Sequence, residues 1–407
     1  MDSRSRIPMS KLAGRLRPVW GAGMALLCLG LGSCEHHAAA PSPVVGAPSG
    51  IDLTRVVCIR SHKQGQSHAY YDRYTGQPTP IASLALDIAG GTAEFAEGLV
   101  AAHRPSKTIH DSPAGYVDAA GRVVIPFQYE WAARFHEGRA TVAVDGKFGL
   151  IDSRGSWVVP PGKYDVVGSV NDGRCTFRVG DKWGILDRDG VVMVPPRYRQ
   201  LTSYGDGRCL AEYDESRYAC LDLNGQVCFK LPRGAEAVGW ERGGSTFEDG
   251  LVRIEFSPPL AEGLYGYVDT TGRVVVEPIY SQAGDFSEGL APVSKNATTG
   301  FNDDPSSEYE WVPGKDDAWG FIDTNGRVVI PFKFVRVGRF SCGLARARQG
   351  DAWGYIDRAG NFVVPPTYED VYDFRDGIAR VILDNKYAFI DLTGRIVVRT
   401  NEEVSRF

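Results

Sequence analysis

The sequence predicts an all-β fold of small sheets in tandem, and three observations carry that reading. A block such as "DAWGYIDRAGNFVVPPTYED", starting at Asp351, recurs along most of the chain. A second block, "FRDGIARV" at Phe374 and its relatives, alternates strictly with the first. Apolar residues fall in β-branched and aromatic runs or in strict alternation, and no stretch after residue 33 repeats at helical spacing.

The first block recurs as "GYVDAAGRVVIPFQY" from Gly115, "GLIDSRGSWVVPPGKY" from Gly149 and "WGILDRDGVVMVPPRY" from Trp183. It continues as "YACLDLNGQVCFK" from Tyr218, "GYVDTTGRVVVEPIY" from Gly266, "WGFIDTNGRVVIPFKF" from Trp319 and "YAFIDLTGRIVVR" from Tyr387. Its aspartates are Asp118, Asp152, Asp187, Asp222, Asp269, Asp323, Asp357 and Asp391, separated by 34, 35, 35, 47, 54, 34 and 34 residues. A fixed period of this size marks a repeat architecture.

Each element of a unit has a local reason. "GLARARQ" alternates as a half-buried strand does. "AWGYID" and "NFVVP" are strand-forming runs on either side of an Asp-x-x-Gly turn. Asp357 is placed to accept a backbone hydrogen bond at the head of that turn. Gly360 supplies the left-handed residue of a type I turn with a bulge. Pro365 and Pro366, lacking N–H groups, are expected to end the strand. The unit is therefore expected to be a three-stranded meander of about 34 residues, packing through Trp353, Tyr355, Val363 and Tyr368. Trp183, Gly184, Asp187 and Gly190 repeat the roles of Trp353, Gly354, Asp357 and Gly360, as do Trp319, Gly320, Asp323 and Gly326. One unit buries too little by itself, so neighbours must stack. Three strands per unit favour an open β-superhelix or solenoid. A closed propeller-like ring, with blades of about 40–45 residues, is the alternative.

"DKWGILD" at Asp181, "DAWGYID" at Asp351 and "DDAWGFID" at Asp316 resemble the bacterial WG repeat family, also called KWG repeats. The resemblance covers nearly all of residues 93–400. It implies an interaction scaffold without a common catalytic set. The chain departs from the pattern at Phe148-Gly149 and Tyr265-Gly266, which replace Trp-Gly, and at Tyr218-Ala219 and Tyr387-Ala388, which lose the glycine. The unit from Tyr218 also loses the Pro-x-x-Tyr. The last unit is expected to serve as a cap.

The N-terminus carries an address. Arg4, Arg6, Lys11, Arg15 and Arg17 precede the short apolar run "VWGAGMALLCLGLGS". Basic flank, apolar centre and small residues at the end make a secretory signal peptide over residues 1–33. "LGSC" resembles the bacterial lipobox. By that resemblance Cys34 is lipidated and becomes the first residue of the mature protein, in a bacterial envelope. Glu35 in second place points to the outer membrane, facing the periplasm or the cell surface. Several acyl chains, at about 0.8 kcal/mol per buried CH₂, anchor stably. Residues 34–50 read as a flexible tether, 51–92 as an N-terminal cap or degenerate repeat, and 93–407 as the array. Removing residues 1–33 moves the formal charge from −5 to −9. That sign excludes nucleic acid as an expected partner and leaves the lipid anchor to hold the membrane.

Two insertions, near residues 231–246 and 296–317, break the period. Insertions in repeats fall in loops on one face, often the binding face. Phe301, Tyr309 and Trp311 stand among acids in the second and are the candidate binding residues for a glycan or peptide. No H-E-x-x-H, G-x-S-x-G or Walker loop occurs. No catalytic residue, metal site or cofactor is expected. Asp187 and Asp189 in "DRDG" read as turn chemistry, not a calcium loop. Cys220 and Cys228 flank one turn and are expected to face each other across the hairpin, a candidate disulfide in an exported protein. Cys175 and Cys209 sit one period apart, as core filling or as a bridge between stacked neighbours. The expected function is a membrane-anchored scaffold that binds protein, peptide or envelope polymer. The alternative is an envelope hydrolase, which needs two facing carboxylates.

Overall fold

The computed structural model describes residues 56–59, 69–72, 77, 96–103, 113–118, 122–237, 245–256, 263–296 and 318–403. Cys34, Phe301, Tyr309 and Trp311 lie outside these residues, as do the signal, the tether and most of the region 51–92.

The Asp-x-x-Gly turns form as their chemistry requires. The Asp357 carboxylate accepts the N–H groups of Ala359 and Asn361, each at 2.9 Å. Gly360 closes the turn on the Asp357 carbonyl at a φ of 79°. Asp152, Asp187, Asp222, Asp269, Asp323 and Asp391 repeat the paired acceptance. The glycine has a second duty. A methyl at Gly360 would stand 2.7 Å from Ile330 Cγ2, and one at Gly225 would stand 2.1 Å from Val194 Cγ2. Each turn thus lays its glycine on the last strand of the preceding unit.

Among the described residues all regular structure is β, in antiparallel meanders whose strands pair in chain order. The expected three strands become four. In one sheet Val166–Asn171, Arg174–Val179, Lys182–Asp187 and Val192–Tyr198 follow one another. The added strand is equally long at Arg336–Ser341 and only two residues long at Gln200–Leu201 or Asp370–Val371. Its signal is weak because it holds as few as two residues between the Pro-x-x-Tyr and the next block. Seven such four-stranded sheets follow a three-stranded one built from Leu99–His103, Ala114–Asp118 and Val123–Tyr129. A separate hairpin pairs Val56–Ile59 with Ala69–Asp72.

The prolines do not end the last strand of a unit. Phe362–Tyr368 runs through Pro365 and Pro366, and Val192–Tyr198 through Pro195 and Pro196. Pairing jumps from Ile185↔Val194 to Trp183↔Tyr198, so the strand arches past Gly184. A bulge on an edge strand is where proline costs no ladder bond. The arch explains the Gly of Trp-Gly. A methyl at Gly184 would stand 2.6 Å from the Val194 carbonyl oxygen, at Gly320 2.5 Å from that of Ile330, and at Gly354 2.4 Å from that of Val364. Ala219 and Ala388 occur where the last strand has no proline and pairs directly, as Ala219↔Lys230 and Ala388↔Arg399. The register also moves one expected packing residue: Val363 is exposed and Val364 is buried.

The core lies in the seams between consecutive sheets. One seam gathers Leu344, Trp353, Tyr355, Val364 and Tyr368 with Val371, Phe374, Ala379, Val381 and Ile390. Trp319 and Trp353 are buried, and Trp183 is partly buried against the seam holding Ile185 and Tyr198. In four seams the Phe of the second block meets an aromatic ring on the next-to-last strand of the unit before it. Tyr116–Phe135, Tyr267–Phe286, Phe321–Phe340 and Tyr355–Phe374 have ring centroids 4.7, 4.8, 4.9 and 4.6 Å apart. Tyr116, Tyr267 and Tyr355 then donate across the seam to the carbonyls of Ala133, Gly284 and Tyr372. The described clusters join consecutive sheets.

Candidate functional site

The acidic residue of each second block, Glu-Gly or Asp-Gly, sits at the tip of a tight turn. Glu97, Glu137, Asp172, Asp206, Asp249, Glu288, Cys342 and Asp376 all have positive φ, and each is followed by a glycine with positive φ. Two left-handed residues make the type I′ hairpin turn. The side chain of one turn then reaches the backbone of the next. Glu97 accepts the Gly138 N–H at 2.8 Å, and Glu137 accepts those of Asp172 and Gly173 at 2.7 and 2.8 Å. Asp172, Asp206, Asp249 and Glu288 accept those of Gly207, Gly250, Gly289 and Gly343 at 2.9, 2.7, 2.7 and 3.0 Å. These charge-assisted bonds form a ladder along one end of the sheets. Cys342 interrupts it, because a thiol offers Gly377 no carboxylate.

Sequence reasoning took this block for a strand lead-in and missed the ladder. The signal was present: eight X-Gly pairs at one repeat position, seven of them acidic. A second set of charges, part-buried except for the buried Arg346, was also missed. Arg253 and Arg346 lie on the second strand of their units and reach forward to Asp285 and Asp373, at 3.5 and 2.8 Å. Each aspartate stands immediately before the Phe of the next unit. Glu248 lies nearby, 3.9 Å from Arg339 and 3.4 Å from the Thr246 hydroxyl. Burial pushes its carboxyl up to about 7, with Arg339 opposing and Asp285 assisting. The turn aspartates go the other way. Burial acts to raise Asp269, but hydrogen bonds from Thr271 and Arg273 outweigh it and hold the carboxyl at about 2.

The expected site residues separate into three groups. The motif residues Trp183, Gly184, Asp187, Gly190, Trp319, Gly320, Asp323, Gly326, Trp353, Gly354, Asp357 and Gly360 sit in turns, arches and seams, as above. Asp187 holds its own turn, and Asp189 pairs with Arg139 at 2.8 Å. The insertions attach at different places. Residues 297–317 join Leu290–Ser294 to Trp319–Asp323, the hairpin that other units close with a short turn such as Asp145-Gly146. Residues 238–244 follow Ala235–Ala237. The cysteines form the third group. Cys220 pairs with Phe229, not Cys228, because Cys228 is the extra residue of a bulge, and both are free thiols. Cys175 and Cys209 fill separate seams, where burial pushes each thiol up to about 12. Among the described residues no group of three His, Cys, Asp or Glu is placed to hold a metal, and no helix is long and apolar enough to cross a membrane.

These features define a tandem all-β repeat protein whose motif residues are committed to building units and joining them. The family model described as "WG containing repeat" matches residues 115–148, 148–183, 183–215, 265–298, 319–351 and 353–387, and the chain belongs to that family. The two copies from Tyr218 and Tyr387, with Ala for Gly, begin none of these matches, yet both fold as four-stranded sheets. No curated protein matches. Similar solved structures include BamB from Moraxella catarrhalis, 11% identical with a TM-score of 0.34 over 64% of this chain and 78% of that one. A eukaryotic initiation factor is 11% identical with a TM-score of 0.38 over 75% and 96%. The β-propeller domain of the Trilobed protease from Pyrococcus furiosus is 10% identical with a TM-score of 0.35 over 67% and 98%. At TM-scores this low these likenesses say nothing about function.

Proposed function

We propose that the protein is a bacterial envelope lipoprotein, anchored through lipid on Cys34, whose repeat array is a non-catalytic scaffold for protein, peptide or envelope polymer. One observation carries the scaffold reading: among the described residues the recurring ones are engaged within and between units. A shallow cavity of about 330 Å³ is lined by Lys333, Phe334, Gln349, Gly360, Asn361 and Phe362, with no carboxylate among them. The contact residues in this reading are Phe301, Tyr309 and Trp311, in the longest departure from the repeat.

Two experiments test the proposal. Residues 296–317 are replaced by a two-residue Asp-Gly turn, and both proteins are used as bait in envelope extracts. The scaffold reading expects unchanged thermal stability and loss of a partner; equal recovery of every partner removes the loop from it. For the anchor, Cys34→Ala is expected to release the protein from membranes, and continued membrane retention would refute lipidation.

A further inference from the structure

The fourth of the eight sheets has lost the devices that hold its last strand. In the sheets before and after it, that strand is seven residues long, Val192–Tyr198 and Val274–Tyr280, and is pinned at its far end by Trp183↔Tyr198 and Tyr265↔Tyr280. Here the strand is Val227–Lys230, four residues without the Pro-x-x-Tyr, and its far end is held by the Ala219↔Lys230 pair and by the Leu231 N–H on the Tyr218 carbonyl. The same unit is the one that brings two cysteines together. Cys220 sits on the third strand, in the seam with Phe247 and Ile254. Cys228 is the bulged residue between Val227 and Phe229, which pair with Leu221 and Cys220. A bulge sets two residues against one, and Cys228 is the unpaired residue between the partners of Leu221 and Cys220. Each thiol donates to a backbone carbonyl, Cys220 to Leu221 and Cys228 to Gln226. One is exposed and the other buried, and neither is bonded. Cys209 points into the opposite seam, with Ile185, Val194 and Tyr198, and is not the natural partner.

We propose that Cys220 and Cys228 form a redox-sensitive disulfide that fastens the short edge strand of this unit in place of the lost Trp-Gly and Pro-x-x-Tyr. The oxidant is a disulfide compound. The exposed Cys228 thiolate attacks one of its sulfurs, forming a mixed disulfide and releasing one thiolate. The Cys220 thiolate then attacks the Cys228 sulfur and expels the second. Two protein thiols and one disulfide become one protein disulfide and two small thiols. Burial raises the Cys220 thiol well above its usual range, so the second step is the slow one and quickens with pH.

The test uses the full chain and oxidised glutathione. Trypsin cuts after Arg217 and Lys230, so both cysteines fall in one peptide, "YACLDLNGQVCFK". After oxidation, alkylation and digestion, that peptide is expected to be lighter by two hydrogens and to carry no alkyl group. In Cys220→Ser, Cys228 is expected to stop at the glutathione adduct. Alkylation of both cysteines in the oxidised native protein overturns the proposal. So does a persistent Cys228–glutathione adduct in the wild type, or a Cys209–Cys228 link.

Discussion

Gly354→Ala tests the reason for the glycine in Trp-Gly. The added methyl would stand 2.4 Å from the Val364 carbonyl oxygen and 2.8 Å from the Pro365 carbonyl carbon, where real Cβ atoms essentially never approach within 3.0 Å. Both obstacles are backbone, so no side-chain rotation relieves them. The arch must retreat by at least 0.6 Å, the shortfall between 2.4 and 3.0 Å. That retreat pulls on Trp353↔Tyr368 and on Val364 in the seam. Overpacking of this kind costs about 1–3 kcal/mol, and the upper half of that range is expected here because nothing flexible yields. The assay is urea unfolding followed by tryptophan fluorescence, comparing midpoints at fixed slope. A second background sharpens it. Pro365→Arg with Pro366→Thr copies the proline-free strand at Arg399 and Thr400, where Ala388 is native. The cost of Gly354→Ala is expected to fall by about half or more on that background, a coupling that contacting residues show and distant ones do not. A cost below about 0.5 kcal/mol, or the same cost on both backgrounds, would refute the arch as the cause.

Two further outcomes concern pH. Asp269, Asp323 and Asp391 have carboxyls held below their usual values by hydrogen bonds within their turns, against the opposing effect of burial. A depressed carboxylate contributes stability above its unfolded pKa and loses it as pH falls through the folded one. Urea midpoints are therefore expected to drop as pH falls from about 4 towards 2, and less steeply in Asp269→Asn. A wild-type slope retained in the variant would assign the effect elsewhere. Glu248 runs in the opposite sense, since burial raises it to about 7. Its contribution is full below the unfolded carboxyl range and is lost as pH rises through about 7. Stability is expected to decline between about pH 5 and 7 and to flatten in Glu248→Gln. An unchanged profile would show that Glu248 titrates normally.

Much of this architecture was legible because it is local chemistry. Asp357 and Gly360 announce their turn in four residues, and "GLARARQ" announces its strand by alternation. What stayed hidden depends on partners brought close only by the fold, within a unit or in the next one. The Gly of Trp-Gly is decided by the Val364 carbonyl oxygen, which no spacing reveals. The prolines read as strand breakers because a bulged edge strand cannot be told from a stop by composition. One bulge residue then exchanged the faces of Val363 and Val364, and the same shift set Phe229 in place of Cys228 opposite Cys220. The Glu-Gly tip needed a left-handed glutamate, a conformation uncommon outside glycine, asparagine and aspartate. Phe301, Tyr309 and Trp311 were singled out by breaking the repeat, which locates a departure without naming its ligand.

The central claim is that the recurring residues join one unit to the next, and amide hydrogen exchange at the turn tips tests it most directly. Gly138, Gly173, Gly207, Gly250, Gly289 and Gly343 each donate to the carboxylate of the preceding turn, whereas Gly377 follows Cys342. Gly377 is expected to exchange faster than the other six in the wild type and to slow to their range in Cys342→Asp. Equal exchange at all seven in the wild type, or no change at Gly377 in the variant, would contradict the claim.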